Sequence, residues 1–220
     1  MHIEILVEDS SGKRLLDQLV PRILGPIGEP HSWRIHPYRG IGRLPKDLKT
    51  KADPAKRALL DNLPRLITGF GRTPGIDAAV IVVDTDRRDC REFLIELQTL
   101  AATCEPRPEV MFRLAIEEME AWFLGDQVAL LAAYPKADRS VLQGYKQDSV
   151  CDTWERLADA VYPGGSGVLK KLGFPASGDA KHEWAEKIGP HLQLDRNSSP
   201  SFNKFVEGLR RLVAAAPAAV

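Results

Sequence analysis

The run Asp77-Ala78-Ala79-Val80-Ile81-Val82-Val83-Asp84-Thr85-Asp86 constrains the fold more than any other stretch of the chain. From Ala78 to Val83 it is wholly apolar, mostly β-branched and without polar alternation. A strand with one wet face alternates in polarity, whereas a strand covered on both faces does not, so the pattern predicts a central strand of a parallel sheet flanked by helices. The run then stops at carboxylates. Ligand crevices in doubly wound sheets lie beyond the carboxyl ends of the strands, so Asp84 and Asp86 are candidates for a metal site. If that segment stays extended, residues two apart share a side, and one cation would relieve the repulsion between them. The alternative is a solvated turn and helix cap, for which Asp is equally suited.

Two further segments repeat the pattern. Ile3 to Val7 reads as a short strand followed by Glu8, Asp9 and a helix through Leu24, with Ser10 or Ser11 as the N-cap. Val110 to Ile116 reads as another strand, followed by Glu117, Glu118 and Glu120. In a parallel sheet Glu8, Asp84, Asp86 and one or two of these three glutamates converge on one edge. Glu117 and Glu120 share a face if the segment is helical, Glu118 and Glu120 if it is extended, and the sequence leaves that choice open.

Trp33 to Tyr38 reads as an edge strand because Pro37 cannot donate a ladder hydrogen bond. Between Arg34 and Arg57 eight basic residues stand against Asp47 and Asp53, a formal +6, although Lys plus Arg and Asp plus Glu balance at 30 each over the whole chain. With Gly40, Gly42 and Pro45 in it, this stretch predicts a loop suited to phosphates, with Arg39, Arg43, Lys46, Lys49 and Lys51 as nucleic-acid-binding candidates. A helix follows from Ala58 to Ile67, and Gly69 and Gly71 punctuate the chain after it.

The remaining third reads as helical over 152–162, 167–173, 180–188 and 202–213, with Ser166 capping the second of these. The implied organisation is an α/β core over 1–130 and a helical C-terminal extension over 131–220 packed on it. Cys90, Cys104 and Cys151 are odd in number and widely spaced, which argues for reduced packing residues rather than a disulfide scaffold or zinc site. The apolar runs are too short to cross a bilayer, and Met1 to Val7 reads as a strand rather than a leader, so the expected address is cytoplasmic.

Val7-Glu8, Asp84-Thr85-Asp86 and Glu118-Met119-Glu120-Ala121-Trp122, each after a strand, resemble the Toprim fold shared by primases, topoisomerases and OLD-type nucleases. The Glu-Ala-Trp-Phe-Leu-Gly-Asp run from Glu120 and the Ser199-Pro200-Ser201-Phe202 segment resemble, more closely, a bacterial Toprim-like family of uncharacterised proteins, domain of unknown function 4276, suspected of roles in phage defence. The resemblance implies a Rossmann-like, mostly parallel sheet and a metal-dependent nuclease. It implies that Glu8 is a general acid/base or metal neighbour, that Asp84 and Asp86 hold magnesium, that Glu118 or Glu120 completes the set, and that Lys181 lies against the scissile phosphate. Asp9 departs from the pattern, since Toprim proteins carry Gly directly after the glutamate.

Hard oxygen ligands without clustered His or Cys favour magnesium or manganese over zinc. The expected activity is therefore magnesium- or manganese-dependent hydrolysis of nucleic acid. The rival reading is a non-catalytic regulatory or toxin-type subunit working with a partner ATPase, since this chain has no P-loop.

Overall fold

The computed structural model describes residues 1–45, 58–147 and 152–215. Strands β1 (His2–Val7), β2 (Ser32–Pro37), β3 (Ala78–Asp84) and β4 (Glu109–Ala115) form a single sheet in the order β2-β1-β3-β4, with every neighbouring pair parallel. Helices α1 (Ser10–Leu24), α2 (Leu59–Arg72) and α3 (Cys90–Ala102) make the crossovers. The chain is thus α/β, as the unbroken apolar run of β3 predicts.

Side chains of alternate strand residues enter two separate cores. Ile3, Ile5, Val7, Val80 and Val82 pack with α1, whereas Leu6, Ala79, Ile81 and Val83 pack with Leu60, Leu63 and Ile67 of α2 and Phe93 and Leu97 of α3. Both faces of β3 are therefore dry, which is why its sequence lacks polar alternation. From β1 the chain moves outward to β2 with α1 on one face; from β3 it moves the other way to β4 with α3 on the opposite face. The neighbours β1 and β3 thus form a topological switch point, and the crevice beyond their carboxyl ends is where such sheets bind ligands.

The C-terminal region is helical: α4 (Glu120–Leu124), α5 (Gln127–Ala133), α6 (Arg139–Gln143), α7 (Thr153–Val161), α8 (Gly165–Leu172), α9 (Phe174–Ile188) and α10 (Pro200–Ala214). Its large side chains join the core on the α1 face of the sheet. Trp122 is fully buried between Phe205, stacked at 5.1 Å between ring centroids, and Phe202, edge-on at 5.6 Å. Its indole N–H donates to Ser201 Oγ at 3.0 Å, and Ser199 Oγ accepts from the Phe202 backbone N–H at the start of α10. The two distant motifs, Glu-Ala-Trp and Ser-Pro-Ser-Phe, are therefore one packing unit.

Several boundaries differ from the sequence reading. Helix α2 continues through Gly69 and Gly71 to Arg72, because at Gly71 the Pro106–Arg107 backbone comes so close that any Cβ would collide with it. Helix α9 begins at Phe174 rather than at residue 180, with Pro175 in its first turn, where a missing N–H costs nothing. The N-cap of α1 is Asp9, not Ser10 or Ser11; its Oδ1 accepts from Gly12 N at 2.7 Å and Ser11 Oγ at 2.9 Å. Ser166 does not cap α8; its backbone N–H donates to Asp159 Oδ1 at 2.7 Å. Among the described residues no helix is long and apolar enough to cross a membrane.

Asp126 ties this region together. Its carboxylate is 2% exposed and accepts from Ala129 N, Gln193 N, and Arg196 Nε and Nη2, at 2.9–3.1 Å. Burial pushes its pKa up, but the Arg196 hydrogen bond and the two backbone N–H groups outweigh burial and hold it below the ordinary carboxylate value. A carboxyl depressed on folding contributes stability above its unfolded pKa and loses it as pH falls through the folded value. Asp126→Asn is expected to destabilise the protein by about 2 kcal/mol in urea unfolding near neutral pH, with the deficit shrinking below about pH 4.

Candidate functional site at the carboxyl edge of the sheet

The strand register brings the acidic residues to one edge. Val7 is level with Val82, and Asp84 with Ala115, so Glu8 follows β1, Asp84 ends β3, and Glu117 to Glu120 follow β4 at nearly the same height. The loop joining them is held by short hydrogen bonds. Asp86 N donates to the Glu117 carbonyl at 2.9 Å, and Glu117 N donates to Thr85 Oγ1 at 2.7 Å. Thr85 is buried and thus acts as the clasp between the ends of β3 and β4.

The segment from Asp84 to Asp86 does not stay extended. Asp86 adopts φ 49° and Glu117 φ 66°, left-handed conformations that cost non-glycine residues about 1–3 kcal/mol each and concentrate at functional sites. Asp86 is exposed, and its side chain cannot simply share a strand face with Asp84. The Asp86 charge nonetheless acts on Glu8, and the Glu8 charge in turn acts on Asp84.

Burial pushes Glu8 up to about 7, reinforced by the Asp86 and Asp9 carboxylates and opposed by the Asp84 backbone N–H and by Lys181. Asp84 is raised well above the ordinary carboxylate range by burial and then by Glu8 and Glu120. Glu120, 4% exposed, is pushed up to about 7 by burial, although Lys181 pulls it down. Glu8 Oε2 and Glu120 Oε2 are buried and have no hydrogen-bond partner among the described residues.

Lys181, near the start of the helix expected over 180–188, lies well inside α9 with a side chain only 21% exposed. Its Nζ stands 3.3 Å from Glu120 Oε1 and 3.7 Å from Glu118 Oε1. Burial alone would lower its pKa, but Glu120, Glu118, Asp84 and Asp9 together raise it, so it stays an ammonium. The three glutamates left open by sequence now separate. Glu118 Oε2 accepts from Thr153 Oγ1 at 3.0 Å and Trp154 N at 2.9 Å, at the N-terminus of α7. Glu120 points its unsatisfied oxygen into the buried set.

Of the basic residues, Arg39 and Arg43 are exposed beyond β2, and Lys46, Lys49 and Lys51 lie outside the described residues. The base of that segment is anchored at the site: Gly40 N donates to the Glu8 carbonyl at 3.1 Å, while Leu59 N donates to the Gly40 carbonyl at 3.1 Å. Asp9, the departure from the Toprim pattern, has extended backbone and is committed to capping α1, so the turn there has no need of glycine.

Whether these residues suit a divalent cation can be judged from the donors. All are carboxylate oxygens, two of them buried and unpartnered among the described residues, and one lysine faces at least four acidic groups; burial first, and repulsion between carboxylates second, raise three pKa values. Donor chemistry and charge both fit magnesium or manganese. Among the described residues no three His, Cys, Asp or Glu side chains already close around one point, so the donors form a row rather than a finished coordination sphere. Thr85, Thr153 and the Trp154 amide escaped sequence reasoning, because nothing in the order of residues marks a clasp or an acceptor's partner 30 or more positions away.

A family described as Domain of unknown function (DUF4276) matches residues 7–210. No curated protein and no solved structure matches the chain.

Proposed function

The chain belongs to the DUF4276 family, and from its carboxylate edge we propose that it is a metal-dependent nuclease of Toprim type, hydrolysing phosphodiester bonds. The observation that carries this reading is the placement of Glu8, Asp84 and Glu120 along the carboxyl edge at the switch point of a parallel sheet, with burial pushing two of them up to about 7 and Lys181 as the only counter-charge beside them among the described residues. Carboxylates under uncompensated repulsion in a crevice are a poor structural solution and a good cation site.

In this proposal Asp84, Asp86 and Glu120 hold magnesium or manganese. The chemistry such an ion supplies is polarisation of the phosphodiester and a lowered pKa for the attacking water. Glu8 is the proton acceptor: its Oε2 is buried, has no hydrogen-bond partner and stands beside Asp84. Lys181 cannot take up a proton, so it serves as fixed positive charge facing the transferred phosphate, while Glu118, fastened to α7, fixes the ammonium in place. Arg39 and Arg43 border the site and meet the nucleic-acid backbone. A role in phage defence follows from the family resemblance alone.

A second reading, a non-catalytic subunit working with a partner ATPase, is favoured by Lys181 itself, which already neutralises part of the acidic set. The two readings separate in a cleavage assay on plasmid and single-stranded substrates with magnesium or manganese. The nuclease reading expects cleavage by the wild type that falls by at least about a hundredfold in Glu8→Gln, the scale of a lost general base. Cation binding without any cleavage would transfer the case to the partner-dependent subunit.

A further inference from the structure

The outer edge of β4 carries a second feature that the carboxylate site does not use. Among the described residues β4 pairs only with β3, and along its other side a cleft of about 370 Å³ opens between α3 and α10. Four cationic side chains line it, Arg91 from α3, Arg113 from β4, and Lys204 and Arg211 from α10, and its lining contains no carboxylate. Leu94, Phe112, Leu114 and Ile116 supply an apolar floor.

Arg113 is the centre of this cleft. Its Nη1 donates to the Phe112 carbonyl at 2.7 Å, whereas its Nε is buried and has no hydrogen-bond partner. The guanidinium lies directly on Gly208 of α10, where any Cβ would collide with it, so α10 leaves room for this arginine. Burial and the neighbouring Arg211 both push its pKa down. Arg211 has only an exposed ion pair to Glu207 at 3.6 Å, too weak to cancel the repulsion. With Arg91, Lys204 and Arg211 exposed around this guanidinium and Glu207 the carboxylate acting on it, the cleft keeps a net positive charge that an anionic ligand would offset.

Position selects the kind of anion. Ile116 is followed at once by Glu117, and Cys90, which opens α3 at the cleft, comes four residues after Asp86, so the cleft runs from the outer edge of β4 to the carboxylate edge. A row of cations over an apolar floor suits a strand with phosphates on one side and base faces on the other. Helices α3 and α10 wall the cleft on both sides. Arg113 folding back onto the Phe112 carbonyl blunts the edge of β4 against strand addition by a peptide.

We infer that the Arg91–Arg113–Lys204–Arg211 cleft binds the phosphate backbone of a single-stranded nucleic acid and leads it to the carboxylate edge. This rests on the nuclease reading for its destination. It places the main substrate contacts at β4, on the side of the sheet opposite to Arg39 and Arg43.

The test is fluorescence anisotropy of a labelled oligothymidylate, with metal chelated so that nothing is cut, over a sodium chloride series. The variant is Arg91→Glu/Lys204→Glu/Arg211→Glu, whose side chains are exposed, with unchanged thermal unfolding as its control for folding. Wild type is expected to bind with strong salt dependence. The triple variant is expected to lose at least about tenfold in affinity and to flatten the slope of log K against log salt by about 2, the share of three phosphate contacts on a single strand. Equal affinity and slope in the two proteins, or no binding by wild type, would overturn the inference. So would displacement of the strand by polyglutamate at equal charge concentration, which would make the cleft a surface for acidic proteins. Cleavage assays on the same proteins separate the two claims: cleavage lost in Asp84→Asn while strand binding ignores the triple reversal overturns the cleft alone, whereas cleft-dependent binding by a wild type that never cuts overturns the nuclease reading alone.

Discussion

Lys181→Met is expected to lower stability by about 3–5 kcal/mol at about pH 8, the penalty for leaving buried charge without its partner. Among the described residues the lysine is the one cation set between Glu118, Glu120, Asp84 and Asp9, at 3.3 Å from Glu120 and 3.7 Å from Glu118. For a chain of this length each kcal/mol shifts the melting temperature by about 2–4 °C, so the variant should melt roughly 6–20 °C below wild type. The loss is pH-dependent, with a definite sign. Glu120 already sits near 7 in the folded protein against an ordinary 4.5, so its ionisation opposes folding increasingly as pH rises between those values. Without the ammonium that window moves upward, and acidification to about pH 5.5 should restore much of the lost stability as the carboxyls take up protons. Lys181→Arg keeps the charge and should fall between the two. Thermal unfolding at both pH values measures this, and a Met variant as stable as wild type at pH 8 would show that the ion pairs hold nothing together.

Asp84→Asn should separate activity from stability in the opposite direction. Asp84 ends the central strand, and burial together with Glu8 and Glu120 raises it well above the ordinary carboxylate range. Its ionised form is therefore a burden on the fold, and a neutral amide of the same shape removes that burden. The variant is expected to unfold no earlier than wild type at about pH 8, and to gain about 1 kcal/mol. Cleavage should drop by about a thousandfold or more, the equivalent of roughly 4 kcal/mol of lost transition-state stabilisation at a metal ligand. A carboxylate retained for packing would show the reverse, lower stability with activity tracking the folded fraction.

Much of the fold was legible because the physics behind it is local. The apolar run from Ala78 to Val83 has one economical explanation, a strand dry on both faces, and β3 sits with α1 on one side and α2 and α3 on the other. Acidic residues immediately after three strands are brought together by parallel topology alone, so Glu8, Asp84 and the group Glu117, Glu118 and Glu120 could be named without coordinates, but not which of those glutamates joins the buried set. What was not legible depends on distant partners. The left-handed turn at Asp86 exists because its N–H and that of Glu117 are claimed across the loop, by the Glu117 carbonyl and Thr85 Oγ1. The burial of Lys181 is imposed by α9 packing on α1, with Gln18 donating to the Ala185 carbonyl at 3.1 Å, and nothing in the local sequence marks it. The basic stretch after β2 drew attention as a charge run, whereas Arg91, Arg113, Lys204 and Arg211 are scattered over 121 positions and form a cleft only once α3, β4 and α10 are assembled.

The central claim is that the carboxylate edge binds a divalent cation, and titration calorimetry of magnesium and manganese into wild type and Asp84→Asn tests it most directly. The account predicts binding to wild type accompanied by proton release at about pH 7, because Glu8 and Glu120 are partly protonated there, and loss of both in the variant. Equal binding by the two proteins, or no binding by either, would contradict it.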